Sequence, residues 1–288
     1  MNKVVLMGLL FGVAATGLNA QDNDGIFSYK IGHFEIYILV ESERDGNADI
    51  LVGADKSLLD SLLPAGGFKH TANAILVKAP AQNFLIDTGT GSGGIIIEKI
   101  KKLGVEPSSV DAVLLTHLHG DHFGSLQSGG EAVFPKAKVY LSAKEHEYFT
   151  KTNVNRAAAA ALDPYGSHVV TFDPAALDAA PHEILPGIHP IAAYGHTPGH
   201  TLYLLESGGE KLLVAGDLLH VALVQFAHPE ISATYDMDQK EAAAVRRQVL
   251  EYAAANNITL AGMHIVYPGT GKVTKDGDGF KFTPSSPQ

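Results

Sequence analysis

The stretch Val110-Asp111-Ala112-Val113-Leu114-Leu115-Thr116-His117-Leu118-His119-Gly120-Asp121-His122-Phe123-Gly124 changes character at its midpoint. Val110 to Thr116 is a nearly continuous apolar run of strand length, the pattern of a strand buried on both faces. Where it stops, His117, His119, Asp121 and His122 put four metal-competent side chains within six residues. Such a set cannot turn into a core without a large desolvation cost. A bound cation removes that cost by pairing with neutral imidazoles and a carboxylate. His117 and His119 are two apart, so an extended chain end places both on one face. Gly120 lets the chain turn and sends Asp121 and His122 toward a second position nearby.

Further metal-competent residues recur where other apolar segments end. His196 lies in Gly195-His196-Thr197-Pro198-Gly199-His200-Thr201, Asp217 in Ala215-Gly216-Asp217, and His264 follows Ile258–Met263. Sites at strand ends are rigid on one side and open to a substrate on the other. Together the seven residues suit two metal ions that share one bridging carboxylate. The chain has no cysteine, so no thiolate can take part. A ligand set of nitrogen and oxygen suits Zn²⁺ and also accepts Mn²⁺, Co²⁺ or Fe²⁺.

Around this centre the pattern reads as an α/β chain. Strands are expected within 27–40, at 72–78 and 82–86, at 110–116, 138–141, 169–172, 188–193, 201–205 and 211–215. Helices are expected near 57–63, 94–103, 142–150, 153–161 and 238–255. Two blocks of strands, each followed by helices, imply two sheets packed face to face with helices outside, a four-layer αββα sandwich. With 288 residues and 45% hydrophobic composition, one large domain over 21–288 is expected.

Residues 1–20 read as a signal peptide: Lys3, an uncharged apolar run from Val4 to Gly17, then Leu18-Asn19-Ala20 as a cleavage site. About 14 apolar residues are too few to span a bilayer comfortably, so a periplasmic or secreted protein without a stable membrane anchor is expected. The absence of cysteine is compatible with export because a core this large needs no disulfides. The net charge of −10 gains nothing from counterion release on phosphates, which disfavours a nucleic-acid partner. A small-molecule substrate is expected instead.

These motifs resemble the metallo-β-lactamase superfamily, whose fold is the αββα sandwich. The resemblance covers most of the chain beyond the signal segment. It implies that His117, His119 and His196 hold one metal and Asp121, His122 and His264 the other, with Asp217 bridging. The aspartate at 217, where β-lactamases of this superfamily carry cysteine or serine, resembles glyoxalase II, N-acyl-homoserine lactonases and methyl parathion hydrolase. The 24 residues after His264 are too few for the helical C-terminal region of glyoxalase II. Thr116–Gly124, His196–Thr201, Gly216–Phe226, His264–Gly269 and Asp276–Phe280 look most like methyl parathion hydrolase and its lactonase and arylesterase relatives. Acyl-homoserine lactonases commonly carry tyrosine where His220 stands here. Relatives of this kind imply a homodimer.

The expected activity is a dinuclear metal-dependent hydrolase whose bridging hydroxide attacks a lactone, an aryl ester or an organophosphate triester. Asp217 and His220 are the candidate catalytic residues, with His220 orienting substrate or helping to protonate a leaving group. Asp87, in Leu85-Ile86-Asp87-Thr88-Gly89, is expected to orient a ligand histidine; capping of its own turn is the other reading. Thr116, Thr197 and His200 brace the ligand loops. Phe123, Phe226 and Tyr194 are candidates for an apolar pocket wall. His33, His70, His146, His168, His182, His189 and His228 are read as structural or exposed. A β-lactamase, an acyl-homoserine lactonase and a periplasmic metal-binding protein are the competing functions.

Overall fold

The computed structural model describes residues 24–63, 67–180 and 182–286; the expected signal segment lies outside them. A seven-stranded sheet runs, in spatial order, through Ile26–Ile31, Phe34–Asp45, Lys69–Lys78, Asn83–Ile86, Ala112–Leu114, Lys138–Ser142 and Val169–Phe172. A six-stranded sheet runs through Ile188–Ala192, Thr201–Ser207, Glu210–Val214, Thr259–Ala261, Thr270–Asp276 and Gly279–Pro284. In the first sheet Asn83–Ile86, Ala112–Leu114 and Lys138–Ser142 are mutually parallel. In the second, Glu210–Val214 is parallel to Thr259–Ala261.

Side-chain alternation divides these strands between layers. Ile36, Ile38, Ile75, Val77, Ile86 and Leu114 meet Tyr203, Leu205, Leu212 and Val214 between the two sheets. Leu39, Ala74, Leu76, Leu85 and Val113 face the other way, onto Ile96 and Ile100 of the helix Ile95–Lys102. Covered on both faces, the central strands carry unbroken apolar sequence. Leu202, Leu204 and Leu213 on the outer face of the second sheet pack on Val249, Leu250 and Ala253 of the helix Gln239–Ala255. That is the αββα sandwich. Polar bonds also tie the sheets together near one rim. Tyr203 donates to the carbonyl of Leu115 at 2.8 Å, and Asn73 Nδ2 donates to the carbonyls of Gly262 and Ile265.

Most expected elements are present, with boundaries moved by caps. Asn155 accepts from the backbone N–H groups of Ala157 and Ala158, so the helix expected from 153 starts at Arg156. The helix expected over 142–150 is Ala143–Glu147 followed by a wider turn, Tyr148–Thr152. The hairpin Thr270–Asp276/Gly279–Pro284 is absent from the expected strands. Its outer positions are Lys and Asp, and only Val273 and Phe280 mark the buried side. The parallel strands end at a common rim, and every candidate ligand is carried on a loop leaving it, where α/β folds place their sites.

Candidate metal centre

Asp87 follows Ile86, His117 to His122 follow Ala112–Leu114, and His196 lies beyond Ile188–Ala192. Asp217 follows Glu210–Val214, and His264 follows Thr259–Ala261. The two sheets thus bring seven residues from four loops to one place. His117, His119, His196 and Asp217 form one group whose ligand atoms lie within 4.8 Å of one another; Asp121, His122 and His264 form a second.

In the first group, His196 Nε2 lies 3.1 Å from His117 Nε2 and 3.0 Å from His119 Nδ1. Asp217 Oδ2 is 3.3 Å from His196 Nε2 and 3.7 Å from His117 Nε2. In the second group, Asp121 lies 3.6 Å from His122 Nε2 and 3.5 Å from His264 Nε2. Asp217 reaches this side too, with Oδ1 3.2 Å from His122 Nε2 and Oδ2 3.1 Å from His264 Nε2. One carboxylate therefore faces both groups.

The outer nitrogens of these rings fix their tautomers. His264 Nδ1 is 2.6 Å from the carbonyl oxygen of Thr71, which can only accept, so Nδ1 carries the proton. His122 Nδ1 donates to Asp87 Oδ2 at 2.7 Å and His196 Nδ1 to Asp236 Oδ1 at 2.9 Å. Thr116 donates its hydroxyl to Asp87 Oδ2 at 2.7 Å and can accept from His117 Nδ1 at 3.1 Å. Asp87 therefore orients His122 directly and His117 through Thr116, and does not merely cap its own turn. The Nε2 lone pairs of His117, His122, His196 and His264 consequently converge on each other and on Asp217.

Lone pairs at 3.0–3.7 Å repel unless something positive lies among them. Metal–nitrogen bonds of about 2.0–2.1 Å in a tetrahedral site give nitrogen–nitrogen edges of roughly 3.3 Å, the spacing seen here. His122 Nε2 and Asp217 Oδ1 are also buried without a hydrogen-bond partner, which a native interior avoids. The donor set fits two divalent cations.

Charge is strongly coupled inside the centre. Burial pushes the Asp217 carboxyl upward, but His122, His264 and His117 outweigh it and hold it well below the usual carboxylate range. Burial, with His122 beside it, drives the His117 imidazole well below its ordinary value. His200 is pulled down to about 3 by burial and the neighbouring His196. It stays neutral, donating from Nδ1 to the Ala193 carbonyl and accepting the Asp217 N–H on Nε2. His200 thus fixes the backbone of the bridging residue.

Three supporting residues gave no signal in the sequence. Glu145 accepts from Leu118 N, Thr197 Oγ1 and Gly199 N, each at 2.8 Å, and so clamps the two histidine loops together. Asp236 binds His196 and is itself held by Arg246 Nη2 at 3.1 Å; Arg246 also donates to the carbonyls of Leu218, Pro229 and Ile231. All three lie far in sequence from the loops they hold, so only the fold joins them. Replacing Glu145 with glutamine sets an NH₂ against at least one backbone donor. A loss of about 1–3 kcal/mol is expected from a buried donor left unsatisfied. Urea denaturation of metal-free Glu145→Gln checks this, and an unchanged midpoint would show that the clamp contributes nothing.

A cavity of about 430 Å³ opens over the ligands and is lined by His119, Asp121, Asp217, His220 and His264, and by Ser42, Arg44, His70 and Tyr235 among others. His220 Nε2 is 3.4 Å from Asp217 Oδ2, and its ring stacks on His264 at 5.2 Å. The expected apolar wall is only partly where the sequence placed it. Phe123 is 6% exposed and belongs to the core between the first sheet and its helices. The short helix Gly120–Phe123 presents Asp121 to the centre and turns Phe123 inward. Phe226 stacks on Phe282 and lines a neighbouring apolar cavity of about 610 Å³ that also reaches His264. Tyr194 lies under Lys144 Nζ at 3.9 Å and does not line the main cavity. His70, expected to be structural or exposed, does line it, with its ring 4.6 Å from that of His264.

With this geometry the family is plain. The metallo-beta-lactamase superfamily profile matches residues 68–264, well over half of the chain, and the chain belongs to that superfamily. Among curated sequences it is similar to the probable metallo-hydrolase YflN of Bacillus subtilis (strain 168), 30% identical over 168 residues, 51% of this chain and 60% of the relative. The chain spans about 60% of the length of the curated relatives it matches. Among solved structures it is similar to AbOPH, a hydrolase of the β-lactamase superfamily. The TM-score there is 0.84 at 26% identity, covering 93% of this chain and 100% of that one. It is also similar to AidC, a dizinc quorum-quenching lactonase, with a TM-score of 0.79 at 25% identity, covering 91% of this chain and 98% of that one.

Proposed function

We propose that the protein is a hydrolase of lactones or aryl esters, with organophosphate triesters as a further substrate class, and that it works with two divalent cations, preferably Zn²⁺. The observation that carries this reading is Asp217, one buried carboxylate that faces both ligand groups, with Oδ2 toward His196 and His264 and Oδ1 toward His122. His117, His119 and His196 would hold one ion, Asp121, His122 and His264 the other, and Asp217 both. Such a pair supplies Lewis acidity and lowers the pKa of water at the site.

The chain's own residues do the rest. Asp87, Thr116, Asp236 and the Thr71 carbonyl hold the ligand imidazoles in one tautomer. Burial takes the His220 imidazole down to about 4, so at neutral pH it offers a single N–H. The ring is wedged between His264 and Tyr235 on the wall of the cavity. It is placed to hold a substrate or leaving-group oxygen rather than to act as an imidazolium acid. In the overall step water adds across the acyl carbon–oxygen bond, giving a carboxylic acid and an alcohol. No serine or cysteine nucleophile is required. The similarity to AbOPH and AidC supports the same reading, and export to the periplasm or medium is proposed with it.

The test is a panel of dihydrocoumarin, aryl acetates, methyl paraoxon and nitrocefin, run with metal content measured on the same sample. Turnover of lactone or aryl ester should rise with metal up to two ions per chain, vanish on chelation and return with Zn²⁺. Protein holding two ions and inert on the whole panel would favour metal binding without catalysis. Nitrocefin turned over faster than any ester would make it a β-lactamase.

A further inference from the structure

The part of the cavity wall formed by the strands Phe34–Asp45 and Lys69–Lys78 has a chemistry of its own. A bulge between Val40 and Ser42 shifts the register of Phe34–Asp45 against Lys69–Lys78, after which Ser42 pairs with Ala72 and Arg44 with His70. Directly paired residues in an antiparallel sheet share a face, as do residues two apart. The four therefore form one continuous patch, and all four line the cavity. Arg44 is the one permanent cation among the lining residues.

Its nearest acidic neighbours in sequence are turned away. Glu43 lines the adjacent apolar cavity, and Asp45 is engaged by Lys69 at 2.7 Å. The Arg44 guanidinium makes no hydrogen bond or ion pair with any described residue. This is a protein with a net charge of −10, in which an acidic partner could readily have been supplied. The same cavity is lined by residues of both groups that fit two divalent cations. Positive charges gathered on one cavity are unfavourable unless an anion lies among them. The hydroxyls of Ser42 and Tyr235, on the same cavity and equally without hydrogen-bond partners, add neutral donors for such a group.

Building on the hydrolase reading above, we propose that the substrate carries an anionic oxygen group, a carboxylate or phosphate, set a few bonds from its scissile ester, and that Arg44 binds it. Arg44 is then the residue that selects a charged ester over a neutral one. Neutral lactones, aryl esters and triesters would then be the slower substrates of the same site. Arginine suits this role because its planar fork matches a carboxylate or phosphate with two parallel hydrogen bonds.

The experiment compares metal-loaded wild type, Arg44→Ala and Arg44→Lys on two aryl esters of equal length, a mono-aryl glutarate and an aryl pentanoate, with a phosphonate-bearing ester as a third arm. Wild type should prefer the charged ester by roughly ten- to hundred-fold in kcat/KM, the size of a charge-assisted hydrogen bond. The preference should lie in KM and shrink as salt rises. In Arg44→Ala the ratio should collapse toward one, and in Arg44→Lys a part should survive. The relative rates on the glutarate and phosphonate arms assign the anion. Calorimetric binding of glutarate itself should weaken by a similar factor in Arg44→Ala, independent of turnover. A wild-type ratio of one, or a ratio unchanged in Arg44→Ala, overturns the inference. If two metals are bound and neither ester reacts, the hydrolase reading fails. Glutarate binding by wild type against Arg44→Ala then decides for or against Arg44 on its own.

Discussion

Asp217→Asn is expected to lower kcat/KM on an ester substrate by ~10³-fold or more and to reduce bound metal from two ions per chain to about one. Both oxygens of Asp217 are committed, Oδ1 at 3.2 Å from His122 Nε2 and Oδ2 at 3.1 Å and 3.3 Å from His264 and His196. Asparagine keeps the shape but has one oxygen, and its NH₂ cannot ligate. With the NH₂ in place of Oδ2, the His117, His119 and His196 group loses its carboxylate oxygen; with it in place of Oδ1, a single oxygen is left for both groups. The substitution also removes the negative charge that lets two cations sit close together. Paired metals contribute several kcal/mol to the barrier, and each 1.36 kcal/mol is a factor of ten in rate, which sets the size. Metal analysis after gel filtration, with activity on the same fractions, provides the check. Two ions retained with activity within tenfold of wild type would show that Asp217 does not bridge.

The reach of sequence reading here follows the range of the interactions involved. His117, His119, Asp121 and His122 were legible because they crowd into one loop, where so many polar groups have no cheap alternative to a metal. His196, Asp217 and His264 were legible one step less directly, since each follows an apolar segment, with glycine directly before His196 and Asp217. Asp236, Glu145 and Arg246 were not legible. Each is an ordinary charged residue in its own segment, and only packing brings it to a ligand loop 27 to 54 residues away in the cases of Glu145. His70 and Arg44 were hidden for a different reason. Their meeting depends on one β-bulge in Phe34–Asp45, without which Arg44 would face the other side of the sheet from His70.

The apolar residues show the converse. Phe123 adjoins four ligands in sequence, yet a single helical turn places it in the core. Proximity along the chain predicted its neighbourhood but not its direction. The cavity wall was instead built by residues from a strand pair that the ligand motif does not mention. Ligand chemistry can therefore be read from the motif, whereas selectivity depends on strand register and on loops elsewhere.

Asp87→Asn is expected to weaken the affinity for one metal ion by 10- to 100-fold, the range for losing a group that orients a ligand, and to lower kcat/KM in proportion at limiting metal. Asp87 is fully buried and sits at φ 54°, a left-handed conformation that asparagine tolerates well. The substitution therefore tests hydrogen bonding rather than backbone strain. Three donors converge on the carboxylate: Thr116 N–H on Oδ1, and the Thr116 hydroxyl and His122 Nδ1–H on Oδ2. An amide has only one oxygen for them. With that oxygen on the Thr116 N–H, its NH₂ meets the His122 Nδ1–H donor to donor. The imidazole must then move its proton to Nε2, the atom that faces Asp121 and Asp217, and the lone pair is lost from the centre. With the amide reversed, His122 is satisfied and Thr116 N–H is left buried without a partner. The first outcome lowers metal affinity; the second lowers the stability of the metal-free protein by about 1–3 kcal/mol. Zinc titration with a competing chelator measures the first, and denaturation of metal-free protein the second. Wild-type values in both would mean that Asp87 does not control the ring.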